Sequence, residues 1–267
     1  MHDALENKFC SMRKDLFNKI FIPILVVSLS SMIQCGTDSG NKVSDLFMCG
    51  EILTDLDGNQ YHTKKIGDKC WMTENLRTLK YSDGTDIPNY PVEADWRTTN
   101  IGAWVYYANN SSNDEIYGKI YNWFAVTDGR GVCPAGWMVP GDEDWKTLEI
   151  FIGMSQSDAD DTGWRGTDEN ISGKLRSAGT DYWEPPNAGA SNESGFSGMP
   201  SGLRYPDGRF VSLGRSAFYW TSTWYSISEA YGRAIVFSHG GVSRGIYRKD
   251  FGLSVRCILD TVSGEPS

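Results

Sequence analysis

Acidic side chains crowd one stretch of the chain, where their carboxylates could ligate a calcium ion. Asp158, Asp160 and Asp161 are almost consecutive, and Asp168 and Glu169 follow a few residues later. Proteins hold calcium with roughly six to eight oxygen ligands. The spacing here matches no calcium-binding loop, and acidic surface loops are usually only solvated. We therefore expect no metal or cofactor, and keep Asp158, Asp160 and Asp161 as weak calcium candidates.

Five cysteines follow an apolar segment at residues 20–33: Cys35, Cys49, Cys70, Cys133 and Cys257. They suggest disulfide bonds, which are typical of exported proteins. Cys49 and Cys70 bracket a predicted hairpin and are therefore paired. If Cys35 carries a lipid, Cys133 and Cys257 remain as a second pair that closes a long loop. The alternative is that these cysteines are buried, reduced thiols.

Sequence motifs for catalysis are missing. His62 and His239 stand alone and no C-x-x-C is present, so a zinc site is not expected. We find no G-x-S-x-G, H-E-x-x-H or P-loop motif. The formal charge of −9 supplies no field for phosphate groups, which excludes a basic nucleic-acid binder. We expect a protein that is not an enzyme and has no nucleic-acid partner.

Aromatic side chains are abundant, with 10 tryptophans and 13 tyrosines, in a composition typical of globular proteins. Flat aromatic faces cover the apolar faces of sugar rings or anchor protein partners. The alternative is that these rings are core residues that hold loops in place. The candidates that fall in or beside predicted loops and edges are Trp96, Trp104, Tyr106, Tyr107, Trp183, Tyr205 and Trp224.

The N-terminus has the pattern of a secretory signal peptide. Residues 20–33 form an apolar run that is too short to span a membrane, and basic residues precede it. Met12 makes a better start than Met1, because it opens a more typical basic segment. We predict a signal peptide at 1–34, a tether at 35–47, one domain at 48–262 and a tail at 263–267.

Cys35 follows this apolar run directly and resembles the acylated cysteine of bacterial lipoproteins. The residues before it, Met32 to Gln34, depart from the usual small residues. The alternatives are an ordinary cleaved signal and a short uncleaved anchor. We expect an exported protein that is anchored by lipid to the cell envelope, at the outer membrane or the cell surface.

Periodic patterns predict the elements that position these residues. A helix is predicted over about 115–126, because apolar residues there recur at helical spacing. A second helix is predicted between Gly141 and Gly153. Residues 155–215 contain few periodic stretches and are expected to be loop. Strands are predicted at 52–53, 60–66, 70–72, 104–107, 217–224, 230–238, 241–247 and 252–259.

Several blocks resemble the Fibrobacter succinogenes major paralogous domain family, which is found in secreted and surface lipoproteins of gut and rumen bacteria. They occur in the family's order over nearly the whole predicted domain. The blocks are DLDGNQYHTKKIGDKCWMTENLRTLKYSDGTDIPN (55–89), YGKIYNWFAV (117–126), CPAGWMVPGDEDWKTL (133–148), SGFSGMPSGLR (194–204), YWTST (219–223) and FGLSVRCILD (251–260).

The resemblance extends to the formylglycine-generating-enzyme group and implies an α+β, C-type-lectin-like fold. Such a fold has two helices, a twisted antiparallel sheet, long ordered loops and paired terminal strands, and it suits a Cys133–Cys257 disulfide. The tryptophans inside the blocks are expected in the core: Trp71, Trp123, Trp137, Trp145 and Trp220.

Site residues known from related folds are only partly present. Oxidase chemistry of the formylglycine-generating kind needs a reactive cysteine pair, whereas Cys133 and Cys257 stand in structural blocks. Glu184 to Asn187 (EPPN) resembles the E-P-N calcium loop of C-type lectins with one residue too many. The W-N-D partner motif is missing after Trp220.

The expected function is a cell-envelope lipoprotein with a non-catalytic recognition module for adhesion or glycan binding. Its expected partners are the membrane, through the lipid, and a glycan or an envelope protein. The alternative is a structural or assembly subunit of a surface protein complex. An enzyme of the formylglycine-generating kind ranks third.

Overall fold

The computed structural model describes residues 47–260. The predicted signal peptide, Cys35, nearly all of the predicted tether and the tail at 263–267 lie outside these residues. None of the helices within residues 47–260 combines the length and the hydrophobicity that a membrane span needs.

The described chain contains fourteen strands and six helices, most of them short. The strands are β1 (Leu53–Thr54), β2 (Gln60–Tyr61), β3 (Thr63–Ile66), β4 (Lys69–Met72), β5 (Trp104–Tyr106), β6 (Lys119–Tyr121), β7 (Trp137–Met138), β8 (Gly163–Arg165), β9 (Ser201–Arg204), β10 (Phe210–Leu213), β11 (Ser216–Trp224), β12 (Glu229–Val236), β13 (Val242–Arg248) and β14 (Ile258–Leu259). The helices are α1 (Glu93–Thr98), α2 (Asp114–Tyr117), α3 (Trp123–Val126), α4 (Asp142–Phe151), α5 (Gln156–Asp160) and α6 (Ile171–Leu175). Single 3₁₀ turns lie at Tyr107–Asn109 and Ser111–Asn113.

The largest sheet has six strands in the order β10-β9-β11-β12-β13-β8. Neighbours run antiparallel, except β9 and β11, which are parallel. Gly232 of β12 pairs with Gly245 of β13, and the ring of Tyr247 covers both. A Cβ atom at Gly232 would lie 2.9 Å from that ring, so glycine keeps this part of the sheet face open to Tyr247.

The second sheet joins the two ends of the domain. Its order is β3-β4-β14-β7, so the last described strand lies between early strands and pairs antiparallel with β4 and β7. The disulfides Cys49–Cys70 and Cys133–Cys257 are both present, with Cα–Cα distances of 5.7 and 6.0 Å. The predicted cysteine pairing and the α+β class are thus confirmed.

Helix α4 packs on the large sheet through an aromatic cluster. The indole of Trp145 is fully buried, and its ring centroid lies 5.2 Å from Trp71, 5.4 Å from Phe196 and 5.5 Å from Tyr219. Aromatic contacts of this mainly edge-on kind add stability beyond that gained from burying apolar surface area. The five tryptophans expected in the core are all buried there.

Two element predictions are wrong. The predicted helix at 115–126 is α2, β6 and α3, because Gly118 ends α2 with a φ of 71° and Lys119–Tyr121 pairs with β5. The helices are also more numerous than two: residues 47–260 contain six, of which α4 is the longest.

Other predicted elements differ in extent. The region 155–215, predicted as loop, contains α5, β8, α6, β9 and β10. The predicted strand at 252–259 is reduced to β14, with single bridges from Gly252, Leu253 and Ser254 to other segments. The three predicted strands within 217–247 correspond to β11, β12 and β13, and the second predicted helix to α4.

Three buried arginines hold loops through backbone carbonyls. Arg256 donates to the carbonyls of Phe196 and Ser197 and to the side chain of Asn75, and its guanidinium lies 4.1 Å from the Phe196 ring centroid. Arg176 and Arg204 bind carbonyls in the same way, and burial lowers the pKa of each to about 10. Both remain charged at neutral pH, because about 10 is well above 7.

An ion network lies under α4, formed by Asp142, Glu149, Arg165, Arg233 and Arg244. Glu149 is fully buried and accepts from Arg165 at 2.9 Å and from Arg233 at 2.7 Å. Asp142 accepts from Arg233 at 2.7 Å and from Arg244 at 2.6 Å. Burial acts to raise the pKa of Asp142, but the hydrogen bonds and charges of Arg244 and Arg233 prevail and lower it.

Candidate functional site

Three of the predicted ligand-contacting tryptophans lie in the core. Trp96 is fully buried, and its Nε1 donates to the carbonyl of Asp250 at 2.8 Å. Trp104 is buried and donates to the carbonyl of Ile87 at 2.9 Å, and Trp183 is also buried. This corrects the prediction for these three, because protein covers their ring faces and they hold loops in place.

The predicted tyrosines are half-buried. Burial raises the pKa of Tyr106 and of Tyr107, which fits phenols that are partly withdrawn from water. Each ring packs on another side chain, and the pairs are Tyr106 with Lys119, Tyr107 with Phe210 and Tyr205 with Phe251. Neighbouring side chains therefore cover part of each ring.

Trp224 is the predicted aromatic that remains open to solvent, and it belongs to an exposed hairpin surface. We define the hairpin surface by Trp224, Tyr225 and Ile227, at the turn between β11 and β12, with exposed fractions of 65%, 49% and 94%. The amide of Tyr225 donates to the carbonyl of Glu229 at 2.9 Å, which closes the turn. Tyr225 also packs edge-on against Tyr231, with centroids 5.4 Å apart. The turn is therefore braced while its apolar side chains face water.

A basic pocket opens beside the hairpin surface and shares Ile227 with it. The pocket has a volume of about 260 Å³, and three cations line it, Arg97, Arg248 and Lys249. Its remaining walls are formed by Thr99, Phe124, Ser228 and Asp250. Apolar and donor-bearing walls next to an exposed aromatic surface make this the strongest candidate site on the described part of the chain.

A second concave surface lies elsewhere, between the end of β4, α2 and the segment around Tyr182. This acidic cleft has a volume of about 510 Å³ and includes Glu74 and Glu115. Both Glu74 oxygens are engaged, one by the His62 ring at 2.7 Å and the other by the His62 amide at 2.8 Å. Its carboxylates are thus in part structural.

The acidic stretch singled out for calcium lies on and just after α5. Asp160 accepts from Lys146 and from Gln156, each at 2.9 Å, and Asp161 accepts from the amide of Thr162. Across residues 47–260, no three His, Cys, Asp or Glu side chains converge so that they could hold a metal ion. Calcium binding by these aspartates stays a prediction.

Comparison with known proteins places this α+β domain with two disulfides in a family. The model of the Fibrobacter succinogenes major domain matches residues 65–259. The chain therefore belongs to the Fibrobacter succinogenes major domain family, as the sequence blocks indicated. No curated protein and no solved structure matches it.

Several site residues escape prediction from sequence. Tyr225 and Ile227 stand just past the predicted strand at 217–224. Large apolar residues in a turn are the sequence signal that could have indicated an exposed apolar surface there. Arg97 and Lys249 are far apart in sequence, and only the folded chain brings α1 beside the residues after β13.

Proposed function

We propose that this protein is a non-catalytic recognition module of the bacterial cell envelope that binds a glycan through the hairpin surface. The observation that carries the proposal is the exposure of Trp224 on a braced turn beside a pocket rich in hydrogen-bond donors. An indole face covers the apolar face of a sugar ring, while neighbouring donors bind its oxygens.

The domain is proposed to have a C-type-lectin-like fold. Support comes from the pairing of β14 with β4 near the two ends of the domain and from the disulfide between Cys133, just before β7, and Cys257, just before β14. Several elements between β4 and β14 are short, such as the three-residue strand β5 and the four-residue helix α2. They leave long connections, and loops on a rigid scaffold commonly carry recognition.

Docking of an envelope protein is the second candidate function, in which the chain serves as an assembly subunit. Ile227 favours it, because an aliphatic side chain that is 94% exposed gains more from an apolar protein partner than from a hydrated sugar. Binding assays with polysaccharides and with envelope extract separate the two functions.

The test is a binding screen of the purified chain, with disulfides intact, against a panel of soluble glycans and insoluble polysaccharides. The expected result is retention by at least one polysaccharide, with and without chelator. A chelator-sensitive result would instead support the calcium alternative. If no polysaccharide binds and cross-linking captures a defined envelope protein, the glycan proposal fails and the assembly function replaces it.

Anchoring of the chain by a lipid on Cys35 is part of the proposal. A cysteine that carries two or more acyl chains holds a domain at the membrane without a spanning helix, whereas one chain alone binds only weakly. Fractionation of cells that express the wild type and Cys35→Ser tests it. We expect the wild type in the membrane fraction and Cys35→Ser in the soluble fraction. Equal distribution of the two proteins would contradict lipidation.

A further inference from the structure

We propose that the basic pocket binds the anionic group, a carboxylate or a sulfate, of an acidic sugar unit whose neighbouring ring lies on the hairpin surface. This inference rests on the proposed glycan-binding function and names the class of glycan. It also predicts that the site prefers acidic over neutral polysaccharides, although the whole chain carries a formal charge of −9.

The carboxylate in the pocket is already neutralised. Arg248 donates from Nε to Oδ1 of Asp250 at 3.1 Å and from Nη2 to Oδ2 at 2.5 Å. This is the fork-to-carboxylate geometry of a strong ion pair. Asp250 is therefore satisfied by Arg248, and the charges that remain in the pocket are those of Arg97 and Lys249.

Lys249 and Arg97 keep donors for a ligand. The Lys249 ammonium donates to the carbonyl of Ile227 at 2.9 Å and lies 4.5 Å from the Trp123 ring centroid. An ammonium has three donors, so two remain. The nearest carboxylate oxygen of Glu93 is 4.0 Å from Arg97, whose side chain is 59% exposed. Its guanidinium fork is thus open to a carboxylate or sulfate.

The shape of the pocket suits one ring-sized unit. Its volume of about 260 Å³ is just below the range of about 300–1,000 Å³ that is typical of pockets for drug-sized ligands. Phe124 and Ile227 supply apolar wall, and the Ser228 hydroxyl supplies a polar group. A ring with an apolar face, hydroxyls and one anionic substituent matches this combination.

A flat anionic surface, such as a lipid bilayer, is a poorer match for the same residues. The Lys249 ammonium lines a concave pocket, where the Ile227 carbonyl and the Trp123 ring hold it. A flat bilayer surface does not match a concave site. Vesicles therefore belong in the test as a competing outcome.

The test compares polygalacturonate with its methyl ester and dextran sulfate with dextran, using the full chain with disulfides intact. The variants are Arg97→Gln and, as the matched control, Arg209→Gln, whose exposed arginine pairs with Asp207 and does not line the pocket. We expect the wild type to bind one acidic polymer at least about tenfold more tightly than its uncharged partner, with weaker binding at high salt.

Arg97→Gln should lose that preference, and Arg209→Gln should keep it. The pair of polymers that shows the effect identifies carboxylate or sulfate. Equal binding of acidic and uncharged polymers, an intact preference in Arg97→Gln, or equally tight binding to phosphatidylglycerol vesicles would overturn the inference. If the acidic preference is absent but neutral polysaccharides bind, the proposed glycan-binding function stands and only the inference about acidic sugars fails. If no polymer binds, both the glycan-binding function and the inference fail.

Discussion

Arg256 shows how single residues of the family blocks serve the architecture. It stands in the closing SVRC block, yet its guanidinium is fully buried and bonds to Asn75 and to the carbonyls of residues 196 and 197. Arg204, from the SGLR block, holds the carbonyls of Tyr90 and Pro91 in the same way. A planar fork can bind two carbonyls at once, which suits the fixing of loops.

Replacement of Arg256 by lysine is therefore expected to destabilise the protein although the charge is kept. A lysine cannot reach the same carbonyls with a planar fork, so buried acceptors lose their donors. We expect Arg256→Lys to lower the free energy of unfolding by about 2–4 kcal/mol. Urea denaturation measures this, with exposed Arg209→Lys as the control at under about 0.5 kcal/mol. A wild-type value for Arg256→Lys would show that the fork is dispensable.

Tryptophan positions illustrate the limit of residue-type predictions. Trp96 and Trp224 both stand near predicted loops, but Trp96 lies against Arg204 in the core and Trp224 faces solvent. Their surroundings come from segments distant in sequence, since Trp96 donates to Asp250 across more than 150 residues. The sequence shows which residues are aromatic, but tertiary packing decides which of their rings is exposed to solvent.

At the scale of elements, strong local sequence patterns predicted helices and strands correctly. Apolar residues at helical spacing and an acidic first turn predicted α4 between Gly141 and Gly153. The Gly240-Gly241 turn signal and the segments beside it predicted strands that correspond to β11, β12 and β13. The prediction of one helix at 115–126 is wrong, because the same spacing of apolar residues also fits a short helix, a strand and a second short helix. Pairing of Lys119–Tyr121 with β5 overrides that local pattern.

The ion network under α4 predicts an acid-sensitive contribution to stability. The pKa of Asp142 is lowered in the folded protein, so its contribution is complete above the usual aspartate pKa of about 3.8 and is lost as pH falls through the folded pKa. We expect Asp142→Asn to cost about 3 kcal/mol near neutral pH. The cost should be smaller at about pH 3.

Denaturation of the wild type and Asp142→Asn at both pH values measures the difference. Exposed Glu115→Gln serves as the control and should cost little at either pH. A cost for Asp142→Asn that is the same in acid and at neutral pH would contradict the assigned role of the Arg244 and Arg233 contacts.

At the scale of the whole molecule, the contacts that hold the fold and the proposed recognition surface occupy different regions. The two disulfides, the buried arginines and the ion network hold the two sheets and the loops. The hairpin surface projects from the turn between β11 and β12, where few of these constraints act. We therefore expect substitutions at the turn to change the proposed ligand specificity without loss of the fold, as in proteins whose loops carry function on a rigid scaffold.

The most direct measurement is the dissociation constant of Trp224→Ala for the polysaccharide that binds the wild type most tightly. Trp164→Ala is the matched control, because Trp164 is 48% exposed on the edge strand β8, away from the hairpin. The glycan-binding account predicts that Trp224→Ala weakens binding at least about tenfold, while Trp164→Ala stays near the wild type. Equal affinity of Trp224→Ala and the wild type would contradict it.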